Sequence, residues 1–136
     1  MNERYVDFEN IDLPYIKCDV AGIETDGESL TVRIIYDENN VANLHWKSYY
    51  HFNSSDEDSY LKLLGQIDRD KNILVEVDES ESLRKLKEIL EIPEKISLHH
   101  YMVFGSCYVI NVYSKEIPCL ITDNTIFSVG RIDKQK

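Results

Sequence analysis

The strongest constraint on this chain is a run of strict alternation. Leu30, Val32, Ile34 and Tyr36 fall on one parity, while Thr31, Arg33 and Asp37 fall on the other. Successive side chains of a strand point to opposite faces, so the run demands one face against a core and the other against water. The same period holds upstream, where Ile16, Cys18 and Val20 alternate with Lys17 and Asp19 and Thr25-Asp26-Gly27-Glu28 supplies a turn. Downstream, Glu38-Asn39-Asn40 predicts a hairpin into a third strand with Ala42, Leu44, Trp46, Tyr50 and Phe52 pointing inward. Strands joined this closely favour an antiparallel meander.

The middle of the chain changes period. Ser55 is placed to cap a helix with Asp58 at the reciprocal position, and Tyr60, Leu63, Leu64 and Ile67 follow at helical spacing. Ile73, Leu74, Val75 and Val77 read as a short buried strand. A second helix starts from a cap at Asp78 or Ser80, lines one face with Leu83, Leu86, Ile89 and Leu90, and stops at Pro93. The β period then returns. Leu98 to Phe104 and Cys107 to Tyr113 flank Gly105-Ser106, the composition of a two-residue hairpin loop. Ile117 to Ile121 and Ile126 to Val129 add final strands, and Pro118 places the first at a sheet edge. The expected fold is α+β: a single domain over residues 1 to 136, mainly antiparallel sheet with two helices packed on it. Residues 1 to 13 read as a loose arm and 131 to 136 as a frayed tail.

Length and charge bound the function. A chain of 136 residues with 43% hydrophobic content is long enough to bury a core without disulfides or metal. Twenty-five acids against 15 bases give a net charge of −10. Such a surface repels phosphate backbones and anionic membranes, so neither nucleic acid nor membrane is an expected partner. No apolar run reaches signal-peptide or membrane-span length, and the expected location is the cytoplasm. Cys18, Cys107 and Cys119 are an odd count without CxxC spacing, which reads as reduced core thiols.

Catalytic motifs are missing from the sequence. GxSxG, Gly-rich phosphate loops and HxH, HxxxH or HExxH spacings do not occur. His99 and His100 are adjacent and must point to opposite faces of a strand. The expectation is therefore no enzyme, no cofactor and no metal. The alternative enzyme would assemble scattered residues, with Cys107, His100 and His45 its members. Candidate partner-binding residues are Tyr49, which has the better case for exposure than Trp46 and Tyr50, and the acids Asp56, Glu57, Asp58, Asp68 and Asp70. Residues 54 to 91 hold 11 acids against 6 bases, a potential suited to steering a basic partner.

Three segments taken together, Trp46-Lys47-Ser48-Tyr49-Tyr50, the Ser54-Ser55-Asp56-Glu57-Asp58 helix start and the late Leu98-to-Tyr113 hairpin, resemble the small acidic immunity proteins of bacterial toxin systems. The resemblance is one of layout across most of the chain. It implies an inhibitor that binds a cognate toxin domain, often a basic nuclease, with carboxylates set against the lysines and arginines of the toxin. The other binding alternative is a homo-oligomer or homodimer joined through an exposed strand near Ile117 to Ile121.

Overall fold

The computed structural model describes residues 3–9, 11, 13, 18–56, 73–105, 108–123 and 125–132. Among them are twelve strands and one helix: β1 (Arg4–Val6), β2 (Phe8–Glu9), β3 (Cys18–Thr25), β4 (Leu30–Tyr36), β5 (Asn40–Trp46), β6 (His51–Asp56), β7 (Leu74–Asp78), α1 (Glu81–Ile89), β8 (His99–Phe104), β9 (Tyr108–Ser114), β10 (Cys119–Thr122), β11 (Thr125–Ser128) and β12 (Gly130–Arg131). They form two five-stranded antiparallel sheets and a small third one. Sheet 1 has the order β1-β7-β8-β9-β6, sheet 2 the order β11-β10-β5-β4-β3, and β12 pairs with β2.

The alternation of residues 30 to 46 decides how the sheets meet. Leu30, Val32 and Ile34 of β4 and Ala42, Leu44 and Trp46 of β5 are all fully buried, and cross-strand register brings Val32 beside Leu44 and Ile34 beside Ala42. These side chains pack against Leu74, Tyr101, Val103, Ile110 and Val112 from sheet 1 in one cluster. Each Val, Leu or Ile side chain among them contributes about 1.5–3 kcal/mol relative to exposure. The ring of Trp46 lies 5.7 Å from that of Tyr101, joining the two sheets. A second cluster, Val75, Val77, Met102, Phe104 and Val109, lies on the opposite face of sheet 1.

The fold is accordingly β, not the expected α+β arrangement of two helices packed on a sheet. The inner faces of the sheets cover one another, so the main core requires no helix. The helix read from Ser55 fails at its start, because Ser55 pairs with Val109 and β6 runs to Asp56; Tyr60 to Ile67 lie outside the described residues. The second helix is α1, capped by Ser80, whose Oγ accepts the Leu83 N–H at 3.1 Å. Its apolar face does not pack as expected. No residue of α1 is buried, and Ile89 is 75% exposed.

Five smaller expectations are also corrected. The supposed loose arm contributes β1, paired to β7, and the buried side chains Phe8, Ile11 and Leu13. The supposed frayed tail begins with Arg131, paired to Phe8 in β12. The third strand does not reach Phe52: it ends at Trp46, and His51 opens β6 in the other sheet. Pro118 does not mark an edge, since β10 lies between β5 and β11 and starts at Cys119, where the missing proline N–H costs no ladder bond. The late hairpin is present as β8 and β9, but Phe104 pairs with Val109, so its connection is longer than Gly105-Ser106.

Candidate functional site

Strand β8 carries the chain's most constrained polar chemistry. His99 and His100 project to opposite faces, as period two requires, and each enters a different network.

On the face towards sheet 2, the Glu76 carboxylate is only 5% exposed and accepts from His99 Nδ1 at 2.7 Å. Arg131 approaches Glu76 at 3.3 Å and forks onto Asp78 at 3.0 and 2.7 Å, while Arg4 reaches the same Asp78 at 2.7 Å. The bidentate guanidinium fixes β12 to β7 in one geometry. Hydrogen bonding from Arg131 holds the Asp78 carboxyl below its ordinary range, and hydrogen bonding to Glu76 raises the His99 imidazole above its own. Burial pushes up the phenol of neighbouring Tyr101.

On the other face, His100 lies between Ser80 and Asn111. Its Nδ1 is 2.7 Å from Ser80 Oγ and its Nε2 2.8 Å from Asn111 Oδ1; Asn111 Nδ2 donates to Asn53 Oδ1 at 3.0 Å. The ring stacks on Tyr113 at 4.6 Å, and the Tyr113 hydroxyl bonds Ser82 Oγ at 3.0 Å. The network assigns the protons. Asn111 Nδ2 donates to Asn53, so Asn111 Oδ1 accepts from His100 Nε2–H, and the neutral imidazole accepts the Ser80 hydroxyl hydrogen at Nδ1. Burial lowers the basicity of His100, which favours this neutral form.

Serine, histidine and asparagine in hydrogen-bonded sequence have the form of a nucleophile, a base and an orienting group. The sequence did not expose this grouping, because Ser80 and Asn111 are 31 positions apart. Here the Ser80 hydroxyl accepts the Leu83 N–H as the α1 cap and donates to His100, and the residue is buried. A groove of about 720 Å³ beside α1 includes Ser80, Leu83, Arg84, Lys87 and Glu88 in its lining. Its basic residues have local partners. Arg84 pairs with Glu81 at 2.7 Å and Glu88 at 3.6 Å, and Lys87 donates to the Ile96 carbonyl.

The outward face of sheet 2 is different in kind. Ile35 pairs with Val41 and Ile121 with Ile126, and Val41 is the diagonal neighbour of Ile121 across β5 and β10. The four make an oblique apolar stripe over β4, β5, β10 and β11. Ile35 is 39%, Val41 44% and Ile126 69% exposed. Acids rim this stripe. Asp19 lies across from Ile35, Asp37 and Glu38 form the β4–β5 turn, and Asp123 opens the β10–β11 turn at the same end of the sheet. Arg33, the base on this face, is 3.9 Å from Glu24.

The residues expected to bind a partner are dispersed. Tyr49 is half-buried, packs on the main core and meets Phe52 edge-on at 5.9 Å, whereas Tyr50 is exposed instead of inward. Asp56 ends β6 opposite Tyr108; Glu57, Asp58, Asp68 and Asp70 lie outside the described residues. The members of the scattered-residue enzyme do not meet either. His45 bonds Thr31 at 2.9 Å on the open face of sheet 2, His100 sits in sheet 1, and Cys107 is outside the described residues. Among the described residues no group of three or more His, Cys, Asp or Glu is arranged to hold a metal ion. Nor is any helix among them long and apolar enough to cross a membrane.

Fold and site together define a mostly β, antiparallel protein of two large sheets and one small one, with an acidic exterior and an open face on sheet 2 among the described residues. Comparison with protein-family models, with curated proteins and with solved structures finds no match for the chain.

Proposed function

We propose that this chain is a non-catalytic binding protein that neutralises a basic toxin domain of bacterial origin through its acidic surface. One observation carries the reading. The polar groups inside the fold are used in braces, Glu76 and Asp78 with Arg131 and His100 with Ser80 and Asn111, while a net charge of −10 faces outward. The layout resemblance to immunity proteins supplies the class of partner. Charge of this kind steers a basic partner and raises its association rate by about one to three orders of magnitude, with a strong salt dependence.

Capture from the native host's lysate at low and high salt, followed by co-expression, tests it. The expected result is one basic protein in stoichiometric amount, captured more slowly in high salt, toxic when expressed alone and harmless beside this chain. A captured protein that is harmless alone, or capture of no basic protein, would overturn the reading.

A further inference from the structure

The two edges of sheet 2 are built differently. Edge strands expose unpaired N–H and C=O groups, and natural sheets protect them with charges, bulges or proline. Strand β3 is protected in that way: its register shifts between Val20 and Gly22, and Asp19 and Glu24 stand along it. Strand β11 has none of these devices. It reads Thr125-Ile126-Phe127-Ser128, all four residues are exposed, and its pairing with β10 is regular over its whole length. Thr122 and Thr125 close the hairpin, so antiparallel geometry turns the main-chain groups of Ile126 away from β10 and out from the edge.

We propose that β11 is the docking edge for the basic partner, which adds an extended segment to sheet 2 as a sixth strand. This rests on the reading given under Proposed function and names its surface. Main-chain bonds to β11 supply affinity, and alternate side chains of the added strand supply specificity. Apolar side chains of the incoming segment extend the stripe beyond Ile126, and a basic side chain at its end meets Asp123 in the adjoining β10–β11 turn. Charge selects the occupant. A second copy of this chain would bring −10 to each side, whereas a segment alternating lysine or arginine with β-branched residues suits both the apolar stripe and the acidic surface.

The probe is a synthetic peptide, Lys-Ile-Lys-Val-Lys-Ile-Lys, titrated into isotope-labelled protein and followed by backbone amide shifts. Shifts confined to β10, β11 and the turn at Asp123 are expected. Ile126→Lys, which places on the edge the charge that natural edges carry, should weaken the peptide by at least about tenfold. Asp123→Gly removes the carboxylate beside β11 at a residue whose φ is 48°, so it relaxes the backbone while weakening binding several-fold, and loss of folding does not confound it. Unchanged affinity in Ile126→Lys, shifts centred on α1, or a concentration-dependent dimer abolished by Ile126→Lys would overturn the proposal. Host capture separates this surface from the toxin reading. An Ile126→Lys protein that still captures the basic partner overturns the edge alone, and peptide binding at β11 without a toxic partner overturns the reading alone.

Discussion

Sheets 1 and 2 have the same strand number and the same antiparallel pairing, yet they treat their two faces in opposite ways. In sheet 1 the central strands are closed on both sides: β8 is buried from His100 to Phe104, with Tyr101 and Val103 in one cluster and Met102 and Phe104 in the other. In sheet 2, β4 and β5 alternate between buried and accessible positions along their length. A sheet closed on both faces has to satisfy every polar group internally, which is why His100, Asn111 and Glu76 each have close partners. A sheet with one open face is free to display apolar and acidic residues to a partner. One sheet is closed on both faces, and the other leaves open the face and edge that we propose for a partner.

The sharpest way to break that division is to compare truncations. Tyr101→Ala, in the closed sheet, removes a side chain that touches Phe8 and Trp46, and is expected to cost about 3–5 kcal/mol in denaturant unfolding. Ile35→Ala and Val41→Ser, on the open face, should each stay within about 0.5 kcal/mol of the parent. Comparable losses in the two sheets would mean that the open face is covered by something structural.

Next in size is Arg131→Ala. It strips the cation from Glu76, leaves Asp78 with Arg4, and unpins β12, so a loss of about 3 kcal/mol is expected. Adding Glu76→Gln to Arg131→Ala should recover part of that loss, because the buried charge is then gone. If the double variant were no more stable than Arg131→Ala, the guanidinium would be acting by packing instead of charge.

Ser80→Ala follows, at about 1–2 kcal/mol for the lost cap together with an unsatisfied acceptor on His100. A brace and a nucleophile make different predictions here. The parent protein should not react with a fluorophosphonate probe, and Ser80→Ala should leave capture of the basic partner intact. Labelling at Ser80 would move sheet 1 from the stabilising side of the comparison to the chemical side.

How much of this the sequence revealed follows from the same contrast. Alternation is visible when one face is wet, so the strands around Leu30 to Trp46, and their inward residues, could be read directly. Strands closed on both faces lose that period: β8 was found through its apolar run and hairpin, but nothing in His99-His100-Tyr101 indicates which histidine meets Glu76 and which meets Ser80. The α1 cap was legible because Ser80 and the residues after it form a local pattern. Its packing was not, because spacing alone cannot say whether Leu83, Leu86, Ile89 and Leu90 find a partner surface. The binding candidates were sought in the acidic run from Asp56. The structure instead draws attention to Asp19, Asp37, Glu38 and Asp123, which are dispersed in sequence and come together only through the register of sheet 2.

The smallest effect sharpens the comparison within a single strand, because adjacent histidines should titrate in opposite directions. His99 faces Glu76 and Asp78, which favour its charged form, and Arg131, which opposes it; its folded value is raised above the ordinary 6.5. The stability it contributes is therefore complete below about 6.5 and fades as pH rises through the folded value. His100 faces Ser80, Ser82, Asn111 and Tyr113 in a buried setting, and desolvation sets its folded value below 6.5 despite the Asn111 bond and the more distant Glu3 and Glu76. Its contribution is present above about 6.5 and is lost as pH falls through the folded value. Unfolding midpoints from about pH 5 to about pH 8, with imidazole proton shifts, give the check. His99→Gln should flatten the alkaline limb and His100→Gln the acid limb. Two histidines with the same midpoint would show that the faces of β8 are not electrostatically distinct, and the assignment of His100 as a neutral brace would fail with it.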